Sequence, residues 1–499
     1  MTMERMIKSS GDGGLTDPRD WGSLQRAGEI IRQACQSGKK LAVWGHDDID
    51  GIASTLILLD ALKNRTEPIY YIPPKSSGHY GLDQKVMDQL LEVGVGLLVT
   101  VDSGISNLNE AEYARQRGMQ LIITDHHELP KDLPPADCLV NPKIAEAGRA
   151  SADLAGAGVA LYLAAAIDGL EGGDWLDKSQ PRAGWATLAT ISDRVPMRTD
   201  NWHIVRSGLQ WLEADPALAW LNELLGISNP HGLSPRMVSE AYVGLLSSGT
   251  SEGFVHPTVE LFRGRREPSR WQELYSAEQL WLNRLEDETA ARGQQASKDA
   301  SPIKLVLDRN LPWSLVGPVA GGVRDRTGHP AVVLGVKGGL TAGECRGFEP
   351  FDFVAMLNEM REMFLQYGGH KQAAGFTLKP GRDDEFAEAI KRYGQRNAGL
   401  ILRAKPDSGA NLKLRDIVGL EGQLTAIREQ SPYGPGHRPP LCQFSALRLP
   451  GYAQVKDRFW YNYLAANRNN FEFLEYLCLA RVDATNRGDV YLDIESVGV

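Results

Sequence analysis

Between residues 18 and 124 the chain alternates short apolar runs with amphipathic stretches. Trp21, Leu24, Ala27, Ile30, Ile31 and Cys35 recur at helical spacing and predict a helix over 18–38. An apolar run at 41–44 predicts a strand, followed by an Asp-rich polar loop and a helix over 52–62. The same order repeats, with strands expected at 67–72, 96–101 and 119–124 and helices at 83–93 and 107–117. Strands and helices that alternate across short connections predict an α/β fold with a doubly wound parallel sheet. The stretch from about 150 to 300 reads as mostly helical, with a small-residue segment at 154–166 and a charged helix at 273–292. The polar run GQQASKDASP (293–302) reads as a linker.

A second, smaller α/β unit is expected from Ile303, with strands over KLVL and AVVLGV, a helix at 351–364 and the Gly-rich segment YGGHKQAAGFTL. After Arg403, short alternating runs at 443–449, 460–465, 476–482 and 490–494 predict a β-rich domain. The expected organisation is an N-terminal tail and helix (1–39), a first α/β domain (40–240), a helical connector (241–301), the second α/β domain (302–407) and the β-rich domain (408–499).

Composition narrows the picture less than pattern does. A length of 499 residues exceeds what one ordinary core supports. The net charge of -9 excludes a generally basic nucleic-acid-coating surface, so a polyanionic substrate must be gripped locally. It also fits a metal protein, whose ligand carboxylates add negative charge to the count. Five scattered cysteines without a CxxC pair indicate neither a disulfide framework nor a zinc knuckle. The longest apolar run, 154–167, is too short to span a bilayer, and the N-terminus shows no secretory apolar region, so a cytoplasmic protein is expected.

Four loops concentrate acids and histidines: GHDDIDG with His46, Asp48 and Asp50, TVDSGIS with Asp102, TDHHELP with Asp125, His126 and His127, and TISDRVP with Asp193. Each is expected to follow a strand or open a helix. Loops at the carboxyl ends of parallel strands converge on one crevice. Any one of these Asp-rich loops is explained as a helix N-cap, whereas that reading does not account for all of them together. Carboxylate and imidazole donors suit Mn, Fe, Co, Zn or Mg rather than a thiophilic metal. The donors outnumber what one tetrahedral ion requires. Two ions about 3.5–4 Å apart around a bridging carboxylate suit phosphoryl chemistry.

HDDIDG, TVDSGIS, TDHH and SDRVP, in this order, resemble the four motifs of the DHH phosphoesterase family, and LQYGGHKQAAGFTL resembles the GGH motif of its associated C-terminal domain (DHHA1 type). YYIPPKSSGHYGL, LPPADCLVNPK, LVGPVAGGVRDRTGHPAVVLG with GECRGF, and SPYGPGHRPPLCQF are similar to segments of the RecJ branch, single-strand-specific exonucleases. The last of these resembles the RecJ join into an oligonucleotide-binding (OB-like) barrel. The resemblance covers about residues 40–499. It implies hydrolysis of single-stranded DNA by two-metal activation of water, with manganese as the cofactor and magnesium as the alternative. It assigns His46 and Asp48 to one ion, Asp50, His126 and Asp193 to the other, and Asp102 to the bridge. His127 would stand just outside the ligands or near the scissile phosphate, and Asp125 would orient a ligand imidazole or cap a helix. His370 would reach the phosphate with Gly368 and Gly369 allowing close backbone approach, and Arg346 and Lys75 would bind substrate.

The chain also departs from the family pattern. His46 stands where RecJ proteins commonly carry Asp, Lys75 replaces a common Arg, and SSGTSEGFVHP stands where an Asn-Ala-x-Gly-Arg segment is expected. GECRG replaces the more usual GSxRS. A phosphodiesterase for short RNA or cyclic dinucleotides is the alternative within the enzyme class. A catalytically silent binding module is disfavoured because every metal-ligand position is filled. The β-rich tail favours a strand-binding enzyme, with Lys456, Arg458, Trp460 and Tyr461 expected to contact the strand and the tail dispensable for the chemical step.

Overall fold

The computed structural model describes residues 14–75, 81–144, 152–228, 230–348, 350–403, 412–450, 458–468 and 473–498. The chain forms two compact units. One combines residues 1–275 with 410–499, and the other spans 276–409.

The first unit is built on a parallel sheet in the order β2-β1-β3-β4-β5: β1 Lys40–Trp44, β2 Ile69–Tyr71, β3 Val95–Thr100, β4 Gln120–Thr124 and β5 Cys138–Val140. Side chains alternate between its faces. Leu41, Val43, Leu97, Val99 and Ile122 pack in one core with helices Gly22–Gln36, Ile49–Leu62 and Gly156–Asp168. Ala42, Trp44, Leu98, Leu121 and Ile123 pack in another with helices Gln84–Glu92 and Leu108–Gln116. The sheet is therefore doubly wound. Its strand order reverses between β1 and β3, the switch point where ligands of such sheets bind.

Residues 410–499 add a second sheet to this unit, in the order β11-β12-β14-β15-β13. Its strands are β11 Leu412–Leu414, β12 Leu441–Pro450, β13 Arg458–Trp460, β14 Phe473–Ala484 and β15 Val490–Gly498. The expected strand at 460–465 is instead a helix, Tyr461–Asn467, because the buried Tyr461 and Leu464 repeat at helical rather than strand spacing. This sheet is docked on the helical part of the first unit. Met197 N donates to Pro435 O at 2.6 Å, Trp202 Nε1 to Gln430 O at 3.2 Å, and the Ser234 and Tyr491 hydroxyls lie 2.7 Å apart. Arg458 bridges Asp493 (3.0 Å) and Glu240 (2.9 Å), Trp460 stacks on His231 at 3.8 Å, and Tyr461 is buried. Three of the four side chains expected to contact a strand are thus engaged within the unit. Lys456 lies outside the described residues.

The second unit holds a mixed sheet in the order β6-β7-β8-β10-β9: β6 Lys304–Leu307, β7 Ala331–Lys337, β8 Leu340–Arg346, β9 Phe364–His370 and β10 Ala373–Leu378. The segment expected to be a linker is helical as far as Ser297, because Ala296 is buried against Val306, Leu315 and Val319. The expected helix at 351–364 is shorter, Phe353–Glu359 with a 3-10 turn at 361–363, and the Gly-rich segment forms the β9–β10 hairpin. Among the described residues no helix is long and apolar enough to cross a membrane.

Candidate metal centre

The loops that leave β1, β3 and β4 meet at the switch point. After β1, the Asp48 side chain caps helix Ile49–Leu62 by accepting from Gly51 N at 2.9 Å, so the helix starts three residues earlier than periodicity suggested. Asp50, in the first turn, is buried, and its two oxygens accept from Gly156 N (2.7 Å) and Ala157 N (2.6 Å) at the start of helix Gly156–Asp168. After β3, Asp102 adopts a left-handed backbone, φ 53°. Aspartate tolerates that conformation better than most residues, and such strain concentrates at functional sites. A Cβ on Gly156 would lie 2.7 Å from Asp102 Cβ and Oδ1, so this helix start must be glycine for the carboxylate to stand where it does.

After β4, Asp125 accepts from four donors: His126 N (2.8 Å), His127 N (3.1 Å), His127 Nδ1 (2.7 Å) and, on its other oxygen, Ile105 N (3.0 Å). No helix follows, so Asp125 is not a helix cap. It shapes the loop and orients His127. Asn141 and Lys143, which the sequence singled out only as part of a matched segment, donate to His127 O (3.0 Å) and His126 O (2.6 Å) and brace the pair from behind. Asp193 corrects the expectation that every such loop ends a strand or opens a helix. It closes helix Arg182–Ser192, whose interior is buried.

These side chains converge in two groups. His46 Nδ1 lies 3.0 Å from Asp48 Oδ2 and 3.7 Å from Asp102 Oδ2. His126 Nε2 lies 3.2 Å from Asp102 Oδ1 and 3.5 Å from Asp50 Oδ2, and its Nδ1 lies 3.9 Å from Asp193 Oδ2. His46, Asp48 and Asp102 form one candidate ligand triad, and Asp50, His126 and Asp193 another. Asp102 is 2% and His126 3% exposed.

The electrostatics are those of an anionic cluster that is buried at Asp50, Asp102, Asp125 and His126 and open to water at Asp48. Burial and the neighbouring Asp48 push the Asp50 carboxyl up to about 7. Burial together with Asp50 and Asp48 drives Asp102 and Asp193 well above the usual carboxylate range. Burial opposes ionisation of Asp125 and His127 alike, but their mutual contact outweighs it, holding Asp125 low and raising His127 to about 9. Burial and Asp48 likewise act in opposite senses on His46, and Asp48 prevails. Asp102 Oδ1 and Asp193 Oδ2 are buried and accept no hydrogen bond among the described residues. Crowded carboxylates, interleaved imidazoles and buried oxygens without donors fit divalent cations, which would supply the missing positive charge.

Lys75 lies elsewhere in its interactions. Its ammonium donates to Ser247 O and Gly249 O (3.2 Å for the latter), tying the loop after β2 to residues 247–250. Tyr71 packs on Trp44 (4.7 Å) and Phe254 (5.2 Å), and Phe348 lies under Arg324. In the second unit, Arg346 on β8 and His370 on β9 both pair with Ala373 of the intervening β10. Arg346 Nη1 donates to Glu344 Oε2 (2.9 Å) and Cys345 O (2.8 Å). Gly369, φ 131°, would press a Cβ to within 2.6 Å of Ala373 O, while Gly368 faces open space.

Among known protein families, residues 40–190 match the DHH family, N-terminal domain. The chain is 30% identical over 389 residues to the single-stranded-DNA-specific exonuclease RecJ of Bacillus subtilis, matching 75% of this chain but only 48% of that protein. It is 27% identical to the protein of the same description from Dickeya dadantii, over 89% of this chain and 82% of that one. The chain thus spans about half the length of the first relative and most of the second. Among solved structures, RecJ from Thermus thermophilus in complex with Mn2+ shares the fold with a TM-score of 0.69 at 24% identity, over 95% of this chain and 71% of that one.

Proposed function

We propose that this chain, a RecJ-like member of the DHH family, is a divalent-metal-dependent phosphodiesterase that hydrolyses single-stranded DNA as an exonuclease. The observation that carries the reading is the pair of ligand triads that meet at the buried Asp102. His46 and Asp48 would hold one cation, Asp50, His126 and Asp193 the other, and Asp102 both. Relatives described as single-stranded-DNA-specific exonucleases and a solved relative in complex with Mn2+ support both the substrate class and manganese, with magnesium also suited to the oxygen-rich donors. Bound divalent cations would supply Lewis acidity to the scissile phosphate and acidify the attacking water.

The chain's own residues do the rest. The start of helix Gly156–Asp168 fixes Asp50, Gly156 leaves room for Asp102, and Asp125 keeps His127 oriented, where its imidazole suits developing negative charge on phosphate. In the second unit, we assign phosphate binding to His370 and Arg346, with Gly368 and Gly369 as backbone that approaches closely. The guanidinium suits bidentate contact with phosphate. Lys75 braces the loop 247–250. The five cysteines are free thiols, which suits a reducing cytoplasm.

The test is digestion of single-stranded and duplex DNA and single-stranded RNA, each labelled at either end, with and without manganese. Manganese-dependent release of nucleotides from single-stranded DNA is the expected result. No hydrolysis of any substrate would refute the proposal, and activity confined to short RNA would replace its substrate.

A further inference from the structure

The segment 247–257 stands where the family pattern breaks. It reaches Asp47, the residue between the ligands His46 and Asp48. The Asp47 side chain is held on both oxygens: Thr250 Oγ1 donates to Oδ2 at 3.0 Å, and His256 Nε2 lies 3.2 Å from Oδ1. The His256 tautomer follows from its other nitrogen. Thr258 N donates to Nδ1 at 3.2 Å, so the proton sits on Nε2 and points at Asp47. His256 is fully buried, and Asp47 is nearly so.

The clasp is itself supported. Thr250 Oγ1 accepts from Lys75 N at 3.1 Å, and the Lys75 ammonium holds Ser247 O and Gly249 O. His256 N donates to Tyr70 Oη, which donates to Glu260 Oε1, each at 3.1 Å. Asp47 is thus tied to residues more than 200 positions later and to the loop that follows β2. Consecutive residues share a stiff backbone, so a fixed Asp47 restricts the placing of His46 on one side and Asp48 on the other. Asp50 is fixed independently, by Gly156 N and Ala157 N.

We propose that Thr250 and His256 are positioning residues that, through Asp47, set the His46 and Asp48 ligands and thereby the affinity of the cation site they form with Asp102, leaving the Asp50, His126 and Asp193 site to its own supports. This rests on the metal-centre reading above. Partners outside the ligand sphere commonly change metal affinity about 10–100-fold when removed.

The test is stepwise manganese titration of the metal-free protein, followed by the electron paramagnetic resonance of free Mn2+, for the parent and for Thr250→Val, Thr250→Ser, His256→Leu and His256→Gln. Thr250→Val is nearly isosteric and removes only the hydroxyl, so it reports even where His256→Leu does not fold. The expected result is that Thr250→Val weakens one of two binding steps by about ten-fold or more and leaves the other within about two-fold, with the metal-free melting temperature retained. Thr250→Ser and His256→Gln, which keep a donor, should restore the weakened step. Unchanged affinities in Thr250→Val, or equal weakening of both steps that Ser does not reverse, would overturn the clasp while leaving the metal centre standing. A parent that binds no manganese would overturn the metal centre, and the clasp with it.

Discussion

Asp102 Oδ1 lies 3.2 Å from His126 Nε2, and both side chains are buried. The other oxygen of the same carboxylate faces His46 Nδ1 at 3.7 Å, so a single side chain of one candidate ligand group also abuts a histidine of the other. Its placing depends on a left-handed backbone at Asp102 and on the lack of a side chain at Gly156.

Gly156→Ala is therefore expected to damage the site without damaging the helix. Alanine is the better helix former, but its Cβ would stand 2.7 Å from Asp102. Displacing a ligand by a fraction of an ångström to an ångström should lower turnover by about 10²-fold. Turnover on labelled single-stranded DNA beside the thermal melt checks this. Wild-type turnover in a folded Gly156→Ala protein would show that Asp102 need not stand where it does.

His370→Ala should lower turnover by about 10²–10³-fold, the usual cost of removing one donor to developing charge, while manganese content stays at the parent level. His370 is on β9 of the second unit, paired across β10 from Arg346. Metal analysis of the purified variant decides the matter. A collapse in manganese content would make His370 a ligand.

The C-terminal sheet is expected to be needed for stability rather than for substrate length. Deleting residues 410–499 removes the polar partners of Met197, Trp202, Ser234, Arg236 and Glu240. The melting temperature should fall, and cleavage of short and long oligonucleotides should fall together. A truncated protein with parental stability that loses only long-strand cleavage would favour the strand-binding reading of this sheet instead.

Stability should also carry a pH signature from Asp483. Burial raises this carboxyl to about 7 from an unfolded value of 3.8, partly offset by hydrogen bonds from Tyr491 Oη and Ala484 N. Between those values the folded chain binds a proton that the unfolded chain does not, so stability falls as pH rises through this window and levels off above it. Asp483→Asn keeps a neutral group there, since its amide can donate to Tyr491 Oη while the tyrosine hydroxyl turns to Ser234. The variant should lose less stability than the parent between about pH 5 and about pH 8 in urea melts. Equal losses in the two proteins would contradict the buried, raised carboxyl.

Much of this was legible before the structure because parallel strands buried on both faces write continuous apolar runs, and the loops after them carry the chemistry. His46, Asp48, Asp50, Asp102 and His126 were readable for that reason. Features set by distant contacts were not. Asp47 and His256 are 209 positions apart, and nothing local to HDDIDG reveals that its first aspartate is tied down. Asn141 and Lys143 act through the backbone carbonyls of the histidine pair, which leaves no spacing to read. Tyr461 and Leu464 stand at helical spacing within a run whose aromatics resemble a strand, and burial of that pair goes with the helix. Arg458 and Trp460 read as nucleic-acid contacts because charge and aromaticity look the same whether the partner is a phosphate and a base or Asp493 and His231.

The most direct measurement of the shared carboxylate is the manganese stoichiometry of the parent and of Asp102→Ala, by equilibrium dialysis with turnover measured on the same samples. Two ions per chain are expected in the parent, one for each triad. Asp102→Ala should remain folded, bind fewer than one ion at the same free manganese and show no measurable hydrolysis, because both sites lose a ligand together. A folded Asp102→Ala protein that still holds two ions and turns over near the parental rate would contradict the account.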